Sequence, residues 1–317
     1  MPKPRVFVTR RLLEPGLSMV LEHCEAEIWP YPTPPSQDEI KQRMPSLEGL
    51  LCLLTDRVDA TLLDTASPDF KVISNCGVGV DHIDLEAATA RGIPVGNTPG
   101  VLTEAVADFT FALLMSVARR IVEGERQVHI GEWKTWALDA LLGSDFSGAT
   151  LGIVGYGRIG RAVARRAQGF GMHILFTDTL PANAEPGVVA SQVDFNTLLS
   201  ESDFISLHCP LTEATRGLMN AETLSRMKPN AILVNTSRGP VVDQDALHEA
   251  LKTKRIASAA LDVTVPEPLP IDHPLLQLDN CLITPHIASA SQKTRSAMCR
   301  MAAENLIAGL RGERLPN

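Results

Sequence analysis

No basic surplus is present: the 317 residues carry 29 Lys and Arg against 37 Asp and Glu, a formal charge of −8. A nucleic-acid binder normally presents a basic face, so the charge argues against that class of partner. Long apolar runs are missing as well. The longest, residues 109–118, is too short to cross a bilayer, and no membrane partner is expected. The six cysteines (Cys24, Cys52, Cys76, Cys209, Cys281 and Cys299) include no CxxC pair and no histidine at metal spacing. They read as buried, reduced thiols of a cytoplasmic protein, and no metal site is expected. No secretory signal is expected either, because Met1-Pro2-Lys3-Pro4-Arg5 leads straight into a strand-like run.

What is present is an ordinary globular composition, 44% hydrophobic and 21% charged, in a chain long enough for two domains. One stretch organises it. Residues 151–160, Leu-Gly-Ile-Val-Gly-Tyr-Gly-Arg-Ile-Gly, read as an apolar strand turning through glycines into a helix. In that pattern Gly155 makes the tight turn, Gly157 lets backbone N–H groups approach a pyrophosphate, and Gly160 lets helix and strand pack closely. The phosphates then sit on the helix N-terminus, where unpaired N–H groups and the dipole favour negative charge. A lone GxGxxG is also compatible with an ordinary Gly-rich turn. Here the helix of residues 158–170 is stopped by Gly171, and a second strand, residues 173–177, ends in Asp178, the acid such a fingerprint calls for.

Before this stretch, short β-rich runs alternate with helical patterns up to residue 96, the βαβ rhythm of a parallel sheet. Asn97-Thr98-Pro99-Gly100 marks a boundary. A helical pattern apolar on several faces follows, from residue 102 to about 127, and needs cover from a second domain, a second subunit, or both. Trp133 and Trp136 read as an anchor for the loop that follows. From residue 151 six strands can be counted, which fits a doubly wound sheet, with Asp243 as a helix N-cap. A closing helix spans about 292–310.

Arg238, Glu267 and His286 stand just beyond strands, where a doubly wound sheet presents its carboxyl ends and places ligands. Arg238, in Thr236-Ser237-Arg238-Gly239-Pro240, suits a two-pronged grip on a carboxylate, although an exposed surface arginine fits the same position. Glu267 lies between Pro266 and Pro268, which restrict its backbone. A carboxylate beside an imidazole favours the protonated ring, so Glu267 is a partner for His286 as an acid.

These motifs together resemble the D-2-hydroxyacid dehydrogenases, and within them the glyoxylate/hydroxypyruvate reductases. The resemblance rests on Val78-Gly79-Val80-Asp81-His82, Thr98-Pro99-Gly100-Val101-Leu102-Thr103, the glycine fingerprint, Asn235-Thr236-Ser237-Arg238-Gly239, Leu261-Asp262-Val263-Thr264 with Pro266-Glu267-Pro268, and Thr284-Pro285-His286-Ile287. It implies an α/β fold of two Rossmann-like doubly wound domains: a smaller, flavodoxin-like substrate domain from residues 1–99 and 287–317, and a larger dinucleotide-binding domain from residues 100–286. It also implies a homodimer built on the helix after Thr103. The reaction implied is reduction of a small 2-ketoacid to the D-2-hydroxyacid. N–H groups of Val78 and Gly79 would bind the carboxylate, Arg238 the carboxylate and carbonyl oxygen, and His286, supported by Glu267, would give the proton. Tyr156, Arg158 and Ile159 would line the pyrophosphate, Asp262 and Thr236 would place the nicotinamide, and Thr103, Pro210 and Ala288 would complete the cofactor contacts. The family often has glycine where Ala288 stands.

Many of these reductases carry a small residue followed by Arg where this chain has Asp178, and use NADPH. A carboxylate there accepts hydrogen bonds from the ribose hydroxyls of NAD and repels a 2′-phosphate. Two like charges about 4 Å apart repel by roughly 4 kcal/mol at an effective dielectric of about 20. Half of that favours NADH more than tenfold. NAD(H) is therefore the expected cofactor, with NADP(H) second, since Arg158 and residues near Thr179 soften the preference. Two other readings share the fold: the C-terminal-binding-protein corepressors, which bind NAD and recruit partners, and enzymes that oxidise another small anion such as phosphite.

Overall fold

Consecutive, not alternating, apolar residues make the central strands, and both faces of those strands are covered. In the computed structural model, which describes residues 2–317, Val6, Phe7 and Val8 of β1 (Arg5–Val8) are all buried. The chain divides into two units, Met1–Leu102 with Ala290–Asn317, and Thr103–Ser289.

In the first unit β1 is joined by β2 (Glu25–Ile28), β3 (Gly49–Cys52), β4 (Val72–Asn75) and β5 (Val95–Gly96) in the all-parallel order β2-β1-β3-β4-β5. That is the flavodoxin-like order 2-1-3-4-5. Burial follows position: β3 and β4 are buried throughout, whereas edge strand β2 alternates. The connecting helices are α1 (Gly16–His23), α2 (Gln37–Arg43), α3 (Ala60–Leu63) and α4 (Leu85–Ala90). Three of them start on side-chain caps, Ser36 in a capping box with Glu39, then Asp59 and Asp84.

The second unit opens with α5 (Thr103–Ala118) and α6 (Ile121–His129), where the pattern predicts one helix. Arg120 breaks it, at φ 51, with its Nε donating to Glu123 Oε2 at 2.7 Å. Neither glycine nor proline marks that break. Helix α5 buries Val106, Phe111, Leu113 and Leu114, while α6 buries nothing. Trp133 and Trp136 are 66% and 76% exposed, so they anchor nothing within the chain, contrary to the expectation from sequence.

Then come β6 (Thr150–Val154), α7 (Arg158–Gly169), β7 (His173–Thr177), β8 (Ser191–Gln192), α8 (Phe195–Glu201), β9 (Phe204–Leu207), α9 (Ala221–Arg226), β10 (Ile232–Asn235), α10 (Gln244–Lys252), β11 (Ser258–Leu261) and β12 (Cys281–Ile283). Their order is β12-β11-β10-β9-β6-β7-β8, all parallel. Seven strands replace the six expected; β8 is two exposed polar residues and has no apolar signature. The order reverses between β6 and β9, the switch point at which such sheets take ligands. Register lines up Val154 with Thr177 and Leu207, and Asn235 with Leu261. Residues 155, 178, 236 and 262 therefore leave the sheet at one edge. Asp243 caps α10, accepting from the N–H groups of Asp245 and Ala246.

The chain closes with α11 (Gln292–Leu310), which packs on α1, β3 and β4 of the first unit. Small residues bring it close: a Cβ on Gly309 would lie 2.4 Å from Val72 Cγ2. Ser74 Oγ reaches across to the Ala302 carbonyl at 2.7 Å. Among the described residues no helix is long and apolar enough to cross a membrane.

Candidate active site

Three glycines after β6 differ in what surrounds them. Gly155 has φ 91, and a Cβ there would lie 2.6 Å from Cys209 N, so both backbone conformation and space require glycine. A Cβ on Gly160 would stand 2.2 Å from the Gly155 carbonyl oxygen. At Gly157 nothing lies within 4 Å, so no protein atom demands a glycine there. Gly157 is also the N-cap of α7 and has no side chain to satisfy its first turn, where Arg158 and Ile159 begin the helix. Open space over unpaired helix N–H groups is a cradle for a pyrophosphate, and the donor set fits a dinucleotide.

Tyr156 faces inward. Its ring stacks on Phe176 at 3.8 Å under the Arg161 guanidinium, and its N–H donates to Asp178 Oδ2 at 2.7 Å. One oxygen of Asp178 is thus committed to holding the glycine loop, a role that sequence reasoning missed. Arg158 is exposed and has no acidic partner among the described residues. Elsewhere on the edge, Pro210 follows β9 and its carbonyl accepts from Thr215 Oγ1 at 2.6 Å, while Thr236 Oγ1 lies 3.1 Å from Thr110 Oγ1 of α5. Thr103 is the first residue of α5.

Arg238 is set by Asn235, the fully buried last residue of β10. Asn235 Nδ2 donates to the Arg238 carbonyl at 2.8 Å, and its Oδ1 accepts from Ser237 N and Oγ. Next to it, a Cβ on Gly239 would lie 2.1 Å from the Thr264 carbonyl oxygen, so the loops after β10 and β11 are in close contact.

Asp262, 1% exposed, organises the turn that carries His286. Its Oδ1 accepts from Thr284 Oγ1 at 2.6 Å and Ile287 N at 2.9 Å, its Oδ2 from Ala288 N at 2.7 Å, and its carbonyl from His286 N at 2.9 Å. Those bonds hold His286 at φ 54, and Ala288 is buried beside them. The carboxylate that the family resemblance assigns to the nicotinamide is therefore also the anchor of the loop that carries His286.

Glu267 Oε1 accepts from Thr264 N at 3.1 Å and Oε2 meets His286 Nδ1 at 2.8 Å. Burial pushes the Glu267 carboxyl up. The bond to His286 and its charge, the Thr264 N–H and the nearby charge of Arg238 outweigh that and hold it below the usual value. Both side chains of the pair stay partly exposed, Glu267 29% and His286 25%, so a reactant can reach them. Arg238, Glu267 and His286 are thus brought together in one unit. No group of three His, Cys, Asp or Glu among the described residues is placed to hold a metal ion.

In the first unit, Val78 and Gly79 lie in the loop after β4. The carbonyls of Gly77, Val78 and Gly79 are tied down by Asn75, Asn97 and the Thr98 N–H. Sequence reasoning missed both asparagines: Asn75 acts within its own loop, at Gly77 and Gly79, and Asn97 acts on Val78, 19 positions away.

Comparison with known proteins places this geometry in context. Residues 111–288 match the family model described as D-isomer specific 2-hydroxyacid dehydrogenase, NAD binding domain. The chain is 54% identical over 317 residues to a glyoxylate reductase of Korarchaeum cryptofilum, covering 99% of this chain and 95% of that one. A crystal structure of a Thermus thermophilus protein matches with a TM-score of 0.93 and 48% identity over 99% of both chains. An NADPH-dependent glyoxylate/hydroxypyruvate reductase of Sinorhizobium meliloti, solved with NADP and malonate, matches with a TM-score of 0.83 and 32% identity, covering 96% of this chain and 93% of that one.

Proposed function

Since the chain belongs to the D-isomer specific 2-hydroxyacid dehydrogenase family, we propose that it reduces glyoxylate and hydroxypyruvate with NAD(P)H, giving the D-2-hydroxyacids. The observation that carries this is the 2.8 Å Glu267–His286 pair within reach of the Arg238 charge, at the ligand edge of a dinucleotide-binding sheet.

The carboxylate donors are the N–H groups of Val78 and Gly79 in the first unit and the guanidinium of Arg238 in the second. A bound nicotinamide supplies hydride to C2. As the carbonyl oxygen gains charge, Arg238 and protonated His286 stabilise it more than they stabilise the ground state. With Nδ1 held by Glu267, His286 delivers its proton from Nε2. Glu267 keeps its charge throughout and offsets that of the imidazolium. Gly155, Gly157, Gly160 and the first turn of α7 hold the pyrophosphate, and Asp178 the adenosine ribose. NADH is preferred, on the charge of Asp178; the NADPH dependence named for the Sinorhizobium relative makes the parallel NADPH assay necessary.

A homodimer belongs to the same proposal. Ile121, Val122, Val128, Trp133, Trp136 and Leu138 are exposed apolar side chains within one stretch of chain, the kind of surface that a second subunit covers. Light scattering on the eluting protein checks it. A cytoplasmic location accords with six free thiols.

The test follows absorbance of NADH and NADPH in parallel with glyoxylate, hydroxypyruvate and pyruvate. Rapid NADH oxidation with the first two is expected. Cofactor binding without turnover of any ketoacid overturns the assignment.

A further inference from the structure

Resting on the reading that Val78 and Gly79 take the substrate carboxylate, we propose that Asn97 and Asn75 are positioning residues that aim those two N–H groups before substrate arrives. In a trans peptide the carbonyl and the following N–H point in opposite directions, so fixing one fixes the other. The Gly77 carbonyl accepts from the Thr98 N–H at 2.9 Å and from Asn75 Nδ2 at 3.1 Å. The Val78 carbonyl accepts from Asn97 Nδ2 at 2.8 Å. Both carbonyls thus face the 97–98 segment, and the N–H groups of Val78 and Gly79 both face away from it. Asn75 completes the clamp at the next carbonyl, Gly79, at 2.9 Å. Among the described residues neither the Val78 nor the Gly79 N–H donates to a protein group. Two successive N–H groups left free on one side make an anion cradle.

The clamp is itself braced. Asn75 is fully buried and spends its amide hydrogens on the loop, while its Oδ1 is buried with no partner, a cost that a smaller residue would escape. Asn97 is held through its carbonyl by Asn305 Nδ2 of α11 at 2.8 Å. Asn305, also fully buried, accepts from the Asn317 N–H at 3.0 Å and packs where a Cβ on Gly96 would lie 2.8 Å from its own Cβ. A donor pair fixed this way needs no rearrangement when the anion binds.

The test compares glyoxylate with methyl glyoxylate, its neutral ester, in the full-length enzyme, in Asn97→Leu, which keeps the size but removes the donor, and in Asn97→Ala. Asn97 is partly exposed, so both variants are expected to fold. In the wild type, kcat/KM favours the acid by roughly tenfold or more, as a charge-assisted clamp requires. Both variants raise KM for glyoxylate about tenfold and leave kcat, KM for NADH and the ester kinetics within about twofold. A wild type indifferent to acid or ester overturns the carboxylate reading itself. A discriminating wild type whose variants keep its glyoxylate KM, or lose acid and ester activity equally, overturns the role of Asn97 and leaves that reading standing.

Discussion

Glu267 Oε2 stands 2.8 Å from His286 Nδ1, and because an ionised carboxylate only accepts, that ring nitrogen carries a hydrogen. His286 is thereby left with Nε2 as its working atom. Removing the ring in His286→Ala should lower kcat on the order of a hundredfold or more. Turnover near that of the wild type in a stopped-flow NADH assay would refute the proton-donor role.

The same pair predicts a pH dependence. Glu267 is held below its ordinary value of 4.5, so its contribution to stability is fully present above that value and is lost as pH falls through the lower folded one. Glu267→Gln lacks this contribution at every pH. The gap in Tm between wild type and Glu267→Gln should close as pH drops below 4.5. Calorimetry at a series of pH values reads it; a gap that widens in acid contradicts the sign.

Asp262 accepts three hydrogen bonds from the 284–288 turn with its two oxygens. Asp262→Asn keeps one oxygen and turns an NH2 toward a donor, leaving at least one buried N–H unpaired. Each such group costs about 1–3 kcal/mol. Urea unfolding should show that loss, and kcat should fall roughly tenfold or more because His286 rides on this turn. Loss of stability with unchanged kcat would mean that the anchor does not serve the acid.

Asp178 accepts from the Tyr156 N–H, and the same carboxylate is the one proposed to meet the adenosine ribose. Asp178→Asn can keep the bond from the Tyr156 N–H while removing the charge, so the glycine loop stays in place. The ratio of kcat/KM for NADPH over NADH should rise about tenfold. An unchanged ratio would assign cofactor choice to other residues.

These residues also mark how far a linear reading reaches. The glycine fingerprint, the apolar strands and the Asp243 cap were legible because each acts within a few residues: a turn, a buried run, a side chain bonding the N–H groups just after it. The break at Arg120 was not, since that residue carries no turn chemistry and its left-handed backbone is set by its surroundings. Strand β8 exists only by pairing with β7, through Leu175 and Phe176. Arg238, Glu267 and His286 could be nominated from strand ends, but what holds them is non-local. Asp262 reaches Ala288 over 26 positions and Asn97 reaches Val78 over 19, and such bonds leave no period in the chain.

Gly157 and Gly160 separate binding from folding. With nothing within 4 Å of its Cβ position, Gly157→Ala meets no protein atom, and its φ of −77 is open to alanine. Tm should stay within about 2 °C, as for other surface changes. The added methyl occupies the space where the pyrophosphate approaches the backbone, so NADH affinity should fall roughly tenfold or more. Gly160→Ala instead drives a methyl to 2.2 Å from the Gly155 carbonyl oxygen and must part α7 from the loop. Overpacking of that kind costs about 1–3 kcal/mol or more, and Tm should drop with it. Fluorescence titration with NADH beside thermal melts distinguishes the two. Unaltered NADH affinity in Gly157→Ala would mean that the space above the helix N-terminus is not where the phosphates lie.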